Sequence, residues 1–337
     1  MRPYALSIVF GLLAALLPGE EVLVVGANVW SGLTYKGALS SGSHEEPGSR
    51  SFRFDLLTEE LRALEPDVAV LFEANPLPKY ANDIGSRLEM DSLFSVRRGG
   101  YRVGPVGFPT NLREGTVILA DGALELGEAG HRRLSGGFVT NVTSAQSGEV
   151  SHVVASEITV AERRVHLFAV NLFPSPLAGP EPLNRLLQRY LAGELSGEEY
   201  RLRVGLAVNG AERRLEEART AVTFINETAG ADPAILVGTL SAPPGSPEVR
   251  LFVDAGFVDA WSRPGGITWD PENNGNIDIE ANPQGPAEAV RIDYIMVRGE
   301  GIRVRGAEII LDQPTYGEYP SDHYGIAARI EVSPAAE

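Results

Sequence analysis

The chain alternates between apolar runs that fit strands and spaced apolar repeats that fit helices. Residues 21–27 form an apolar, β-branched run that ends on Asn28. Residues 54–64 carry apolar side chains at steps of three and four, which predicts an amphipathic helix. Residues 68–72 then read as a buried strand that ends on Glu73. This strand, helix, strand unit is expected to bring two polar side chains to one edge of a sheet.

The same patterns predict the remaining elements. Strands are expected at 116–120, 152–160, 164–170, 234–237, 292–297 and 325–332. Helices are expected within 183–195 and 211–228. Stretches rich in Gly, Ser, Asn and Pro predict loops at 37–50 and 265–286.

Polar residues recur where these predicted strands begin or end. Asn171 follows one strand, and Thr239 and Ser241 follow the next. Arg291-Ile-Asp-Tyr294 opens a later strand, and Ser321-Asp-His323 precedes the last one. Any one of them alone is a cap or turn residue by default, but sites on α/β scaffolds collect at strand ends. The ordered series therefore indicates a functional site.

The first residues resemble an export signal. Arg2 is followed by an apolar run from Tyr4 to Leu17, which is short for a membrane span and has the proportions of a signal-peptide core. We expect residues 1–19 to be a signal peptide and residues 20–337 to form one extracytoplasmic domain, secreted or periplasmic. The alternative is an uncleaved N-terminal segment that attaches the protein to a membrane.

The charge balance bears on the partners. The chain has 45 acidic and 29 basic residues, a net charge of −16. Proteins that track nucleic acid neutralise phosphates with a basic face, so this balance argues against nucleic acid as a ligand. Arg97, Arg98 and Arg102 cluster, and a solvated surface is favoured over a phosphate rim for them. The chain has no cysteine, which excludes disulfides, thiol catalysis and thiolate metal sites.

On these segments the chain resembles the endonuclease/exonuclease/phosphatase (DNase I-like) superfamily, over roughly residues 22–332. Its sphingomyelinase-like branch is suggested by four phrases: Leu172-Phe-Pro-Ser-Pro176, Ala242-Pro-Pro-Gly-Ser-Pro247, Gly256-Phe-Val-Asp-Ala-Trp261 and Thr268-Trp-Asp-Pro-Glu-Asn-Asn274. The resemblance implies a four-layer α/β/β/α sandwich, with two mixed β-sheets packed face to face between helices. It also implies Mg²⁺-dependent hydrolysis of a phosphate ester.

The resemblance assigns roles residue by residue. Glu73 matches the glutamate that binds the metal, and Mg²⁺ prefers such carboxylate oxygens. Asn28 matches an asparagine that orients this carboxylate or the phosphate. Asp293 and His323 match a pair in which the aspartate holds the imidazole and the histidine addresses the phosphate. Asp322 matches a position near the metal.

Three positions depart from the family pattern. Thr239 and Ser241 stand where Gly-Asp-x-Asn would supply an aspartate and an asparagine, and Asn171 stands where histidine is usual. Thr239 cannot accept a proton near neutral pH, and losing a general base commonly costs ~10² to 10⁴ in rate. Asn171 cannot become cationic, so it stabilises less charge in a transition state.

Two functions remain open from the sequence. The first is an exported Mg²⁺-dependent phosphodiesterase with reduced or lost activity on a phospholipid headgroup or another small phosphodiester. The second is a non-catalytic protein that uses the cleft to hold a phosphorylated ligand, a lipid surface or a protein. Action at a lipid surface requires an exposed apolar loop, for which Phe108-Pro109, Leu172-Phe-Pro174 and residues 316–319 are candidates.

Overall fold

The computed structural model describes residues 19–34, 43–99, 102–103, 106–107, 113–136, 150–279 and 285–335. The expected signal segment up to residue 18, residues 37–42 of the expected loop and Phe108 lie outside the described residues. The described strands are β1 (Glu20–Asn28), β2 (Leu33–Thr34), β3 (Ser43–His44), β4 (Val68–Ala74), β5 (Asp91–Gly99), β6 (Arg102–Val103), β7 (Val106–Gly107), β8 (Arg113–Ala120), β9 (Gly127–Ser135), β10 (Ser151–Val160), β11 (Arg163–Asn171), β12 (Ala234–Thr239), β13 (Val258–Asp259), β14 (Asp293–Arg298), β15 (Ile302–Ile310) and β16 (Gly325–Val332). The described helices are α1 (Pro47–Leu64), α2 (Lys79–Leu88), α3 (Pro180–Leu191), α4 (Gly197–Ala229) and α5 (Pro247–Asp254), with a 3₁₀ turn at Gly122–Leu124.

Two six-stranded mixed sheets form the centre of the molecule. The first has the order β15-β16-β1-β4-β8-β5, and the second has the order β13-β14-β12-β11-β10-β9. Within the first sheet β1 and β4 are parallel, and within the second β11 and β12 are parallel. The other strand pairs of these two sheets are antiparallel. The strands of each parallel pair therefore end at the same edge of their sheet.

The sheets pack face to face, and helices cover their outer faces. Val24 and Val70 of the first sheet share one buried cluster with Leu167, Ile235 and Ile295 of the second. Separate clusters join α1 and α2 to the first sheet, and α4 and α5 to the second. Because both faces of the central strands are buried, these strands read as nearly continuous apolar runs rather than alternating ones. The predicted four-layer sandwich is confirmed.

The strands and helices predicted from the pattern are all present, but the pattern missed five long elements. These are β5, β9, β15, α2 and α5. The predicted loop at 37–50 is wrong at its end, because α1 begins at Pro47. The helix predicted at 211–228 begins earlier, at Gly197, where Ser196 and Glu199 form a capping box. None of the helices in the described part of the chain combines the length and apolar character needed to cross a membrane.

Candidate active site

Strand register places three of the predicted site residues in a row across the second sheet. Asn171 is paired with Thr239 between β11 and β12, and Thr239 is paired with Asp293 between β12 and β14. The three residues are buried, with 2–4% of their surface exposed. Because β14 runs antiparallel to β12, the residue that starts β14 meets the residue that ends β12.

The first sheet contributes Asn28 and Glu73 through the ends of β1 and β4. Asn28 Nδ2 donates to Glu73 Oε1 at 3.1 Å, which fixes the carboxylate. Glu73 lies at an irregularity in the pairing of β4 with β8 and has a φ of 61°. Positive φ is uncommon for a residue other than glycine, and such conformations concentrate at functional sites. The irregularity turns the glutamate toward the cleft instead of into the sheet.

The segment Ser321-Asp322-His323 joins the two sheets. Ser321 Oγ donates to the carbonyl oxygen of Asn28 at 2.7 Å, which ties the segment to the end of β1. His323 Nδ1 lies 2.8 Å from Asp293 Oδ2, which ties it to the start of β14. The ring of Trp269 meets His323 edge to face at 5.0 Å between centroids. The imidazole is therefore held in one orientation between the sheets.

All eight predicted site residues come together at this end of the sandwich. They surround a cleft of about 60 Å³. Six of them line it directly, namely Glu73, Asn171, Thr239, Ser241, Asp322 and His323. Asn28 and Asp293 lie behind this lining and are bonded to Glu73 and His323, respectively.

Thr239, Ser241 and Asn171, which the sequence analysis expected to depart from the family pattern, have distinct surroundings. Thr239 Oγ1 donates to Asp293 Oδ1 at 2.7 Å, so its hydroxyl proton is directed away from the cleft. Ser241 lines the cleft and has a φ of 51°. Asn171 Nδ2 is buried without a hydrogen-bond partner among the described residues. An unsatisfied buried donor is costly, which points to a ligand or water acceptor in the cleft.

Burial and neighbouring charges shift the pKa of Glu73. Burial is the largest cause, and together with the nearby Glu114 and Asp322 it raises the pKa of Glu73 to about 7. Arg97 and His323 act in the opposite direction.

Neighbouring carboxylates favour the charged form of His323. Burial alone would lower its pKa, but the hydrogen-bonded Asp293, with Asp322 and Glu73 nearby, raises the pKa of His323 to about 9. Burial raises the pKa of Asp322 above its ordinary value. The cleft therefore presents a fixed imidazolium, which suits an anionic phosphoryl oxygen.

Sequence reasoning missed a buried charge cluster behind Glu73. Arg97 was expected on a solvated surface, but only 1% of it is exposed, and it pairs with Glu114, which is fully buried. Arg97 Nη2 also lies 3.6 Å from Glu73 Oε1, and Arg98 lines the cleft. Glu114 is the second residue of β8 and precedes its apolar residues 117–120, so the local sequence carried no signal of its burial. The surface prediction is therefore wrong for Arg97.

The candidate lipid-contacting loops differ in exposure. Leu172 is fully buried in the second sheet's outer core, so its side chain cannot meet a membrane. Tyr316 is 94% exposed, and its neighbours Gly317 and Glu318 are exposed too. Of the aromatic residues in these loops that the structure describes, Tyr316 is exposed, whereas Phe173 and Tyr319 are half-buried.

The donor set fits a weakly held magnesium ion. No group of three or more His, Cys, Asp or Glu side chains with metal-ligand spacing occurs in the described residues. Glu73, whose side chain is 22% exposed, offers one carboxylate toward the cleft, and Oε1 already accepts from Asn28. Mg²⁺ retains several waters and is often held by one or two carboxylates. Glu73 is thus the side chain that would hold the ion, with water completing its shell.

Comparison with known proteins shows which family the chain belongs to. The model of the Endonuclease/Exonuclease/phosphatase family matches residues 25–323. A family protein from Bacteroides thetaiotaomicron has a similar structure, with a TM-score of 0.59, 15% identity, and coverage of 94% of this chain and 100% of that one. D. rerio TDP2 complexed with a single-strand DNA product gives a TM-score of 0.57, 17% identity, and coverage of 92% and 98%. At these identities the structures are evidence for the fold alone. No curated protein matches the sequence.

Proposed function

We propose, from the premise that the chain belongs to the endonuclease/exonuclease/phosphatase family, that it is an exported phosphate-ester-binding protein of hydrolase ancestry whose turnover is strongly reduced or lost. The cleft keeps the groups that hold a phosphate ester and lacks the carboxylate that would activate water. The domain concerned is residues 20–337, and export is inferred from the N-terminal apolar run.

The contact between Thr239 and Asp293 carries this proposal. In the family pattern an aspartate at position 239 positions or deprotonates the attacking water. Thr239 instead uses its proton to bond Asp293 at 2.7 Å, and its hydroxyl is no base near neutral pH. Without a general base the rate falls by ~10² to 10⁴. Asp293 and His323 meanwhile remain bonded at 2.8 Å.

The remaining residues are suited to binding. The His323 imidazolium donates from its ring to a phosphoryl oxygen, and Asp293 keeps that ring oriented and charged. Asn171 Nδ2 donates a second hydrogen bond from the buried side of the cleft. Glu73 supplies the carboxylate for Mg²⁺. A bound ion would neutralise part of the charge on the phosphate.

A non-catalytic binding role is the second candidate. The same Thr239 contact and the unsatisfied Asn171 donor favour this role. Both features can serve ligand binding without the activation of a water molecule. The cleft would then hold a phosphorylated ligand, a lipid headgroup or a modified protein. The two candidates differ in one measurable respect, which is slow metal-dependent turnover.

The substrate class is proposed from the sphingomyelinase-like phrases and the charge balance. A small phosphodiester, such as a phospholipid headgroup, is the proposed ligand, and the exposed Tyr316 is the proposed membrane contact. The net charge of −16 opposes a polyanionic strand. The similar TDP2 structure contains single-strand DNA, so DNA belongs among the tested substrates.

The deciding experiment measures hydrolysis by the purified domain, residues 20–337. Bis(p-nitrophenyl) phosphate, sphingomyelin vesicles and single-strand DNA are each incubated with Mg²⁺ and with chelator, and inorganic phosphate binding is measured by calorimetry. We expect phosphate binding with little or no turnover. Fast Mg²⁺-dependent hydrolysis of any of the three substrates would contradict the loss of activity, and absence of phosphate binding would contradict the retained cleft.

A further inference from the structure

A second cavity of about 460 Å³ opens beside the cleft, between α1, α2 and the segments that follow β1 and β4. This volume lies in the range of small-molecule sites, about 300–1,000 Å³. We call it the Trp30 pocket. Its apolar and aromatic lining includes Val29, Trp30, Phe54, Leu57, Pro76 and Tyr80.

The Trp30 pocket and the cleft share a wall. Trp30 and Ser31 line both of them. Trp30 has a φ of 53°, and its backbone N–H donates to Asn28 Oδ1 at 3.0 Å. The guanidinium carbon of Arg53 lies 4.4 Å from the centroid of the Trp30 ring. These contacts hold the Trp30 indole between the cleft and the pocket. A molecule bound in the cleft can therefore extend along the indole into the pocket.

The walls of the Trp30 pocket are aromatic and apolar. The rings of Phe54 and Tyr80 meet edge to face at 5.0 Å between centroids, and both line the pocket together with Leu57. Aromatic surfaces of this kind bind planar and apolar groups.

The rim carries cations, but in the described part of the chain each has an acidic neighbour. Arg50 lies 3.6 Å from Glu45, Lys79 pairs with Asp83, and Arg87 pairs with Asp55. Charges compensated in this way give little attraction for a second anionic group. The pocket therefore suits the uncharged part of a molecule.

We infer that the Trp30 pocket receives an uncharged, apolar or aromatic substituent of the phosphate ester whose phosphoryl group lies in the cleft. The inference rests on the proposed function and narrows its substrate class. The favoured ligand is an ester between phosphate and one bulky, uncharged alcohol or phenol. A polyanion is disfavoured, because its second negative charge would lie near rim cations that already have acidic partners.

The test compares phosphonates that share an anionic head and differ in their tail. Binding of inorganic phosphate, methylphosphonate and 4-phenylbutylphosphonate to the domain 20–337 is measured by calorimetry. We expect 4-phenylbutylphosphonate to bind at least tenfold more tightly than methylphosphonate. It should also change the tryptophan emission in a manner that Trp30→Phe abolishes.

Two serine substitutions locate the effect. Ser51 lies on α1 in the lining of the Trp30 pocket, and Ser51→Trp fills that space. Ser86 is an exposed residue of α2 outside the pocket, and Ser86→Trp is the matched control. We expect the affinity ratio of the two phosphonates to fall to about one in Ser51→Trp and to persist in Ser86→Trp. Ser51→Phe introduces a smaller side chain and should reduce the affinity ratio partly. It keeps the test possible if Ser51→Trp does not fold.

The outcomes separate this inference from the proposed function. Equal affinities for the two phosphonates, with phosphate bound, would overturn the inference alone. A ratio that survives Ser51→Trp in a folded protein would also overturn it, because the tail would then lie elsewhere. Failure of all three anions to bind would instead overturn the proposed phosphate cleft.

Discussion

Thr239 Oγ1 donates a hydrogen bond to Asp293 Oδ1 across a distance of 2.7 Å. The two residues are register partners in neighbouring antiparallel strands, so the contact follows directly from the sheet. The other carboxylate oxygen of Asp293 faces His323. Thr239 therefore supports the aspartate and histidine pair.

Removing this hydroxyl should destabilise the protein. Thr239→Val keeps the shape of the side chain and leaves a buried carboxylate oxygen without its donor, which costs about 1–3 kcal/mol. We expect a loss of this size in urea unfolding, with an unchanged m-value. Thr239→Ser, which retains a hydroxyl, is the control and should lose much less. A loss in Thr239→Val no larger than that in Thr239→Ser would argue against the hydrogen bond as a main source of stability.

Ligand binding should follow the protonation of His323. The pKa of His323 is raised to about 9, so the interaction of its cation with Asp293 contributes fully to folding below the ordinary histidine pKa, about 6.5, and is lost as pH rises through about 9. Affinity for a phosphodiester anion, whose charge is constant over this range, should hold to pH 8 and fall above 9.

Asp293→Asn supplies the comparison for this titration. Because Asp293 is the main group that raises the pKa of His323, its neutral amide should move the fall in affinity to lower pH. Calorimetry across pH 6–10 measures both proteins. A fall at the same pH in both would mean that another group controls binding.

Glu73 should account for weak Mg²⁺ binding. Its carboxylate faces the cleft from the β4 irregularity, beside Asp322, and Glu73→Gln removes the charge while keeping the shape of the side chain. We expect calorimetry to show weak Mg²⁺ binding in the wild type and none in Glu73→Gln. Glu59→Gln, on the exposed face of α1, is the matched control. Equal affinity in all three proteins would refute the role of Glu73.

Arg53 should be needed to hold the two site-bearing segments together. Its Nη1 donates to the carbonyl oxygens of Val29 at 3.3 Å and Pro320 at 2.8 Å, and its Nε donates to Glu45 at 2.9 Å. Arg53→Met removes the more buried of the two arginines that neighbour Glu45 and leaves the two carbonyl oxygens without this donor, for which the expected cost is about 3–5 kcal/mol.

A double substitution separates charge from packing at this position. Adding Glu45→Leu to Arg53→Met removes the carboxylate that has lost its closest partner, so part of the lost stability should return. Arg50→Met, which removes a more exposed partner of the same glutamate, should cost much less. Chemical denaturation measures all four proteins. If the double variant is no more stable than Arg53→Met, the two carbonyl contacts carry the effect.

The sequence predicted the strand ends and therefore most of the site. Strand register places Asn28, Asn171 and Asp293. A pattern of apolar runs with polar ends predicts such positions. The positive φ of Glu73 was not predictable in this way, because an irregularity depends on how β8 pairs with β4. The first part of α4 was missed because it buries no residue before Ala207, and apolar periodicity records burial only.

The buried charges behind the cleft were missed for a different reason. Arg97 looks like a surface residue in sequence, since lone arginines are mostly exposed. Its burial depends on Glu114, 17 positions later, which reaches it only because β5 and β8 are neighbours in the sheet. A pairing between distant residues of this kind becomes visible once the strand order is known.

If the proposed loss of activity is correct, introducing the residues expected from the family pattern should raise turnover. Thr239→Asp with Ser241→Asn returns a base and an amide to the cleft, and Asn171→His adds a group that can become cationic. The missing step is water activation, worth ~3 to 5 kcal/mol for a rate factor of ~10² to 10⁴. We therefore expect Mg²⁺-dependent hydrolysis of bis(p-nitrophenyl) phosphate to rise in the double variant and to rise further in the triple variant.

The Thr239 contact also predicts a cost for this gain. Thr239→Asp places a second carboxylate where the hydroxyl now lies 2.7 Å from Asp293, so the single variant should lose stability from like-charge repulsion. Mg²⁺ should recover part of that loss if it binds between Glu73 and the new aspartate. Because residues that act as one unit are not additive, single substitutions should gain little activity. A folded, Mg²⁺-binding triple variant that remains inactive on lipid, nucleotide and generic phosphodiesters would remove the main support for a decayed catalyst and would favour the binding role.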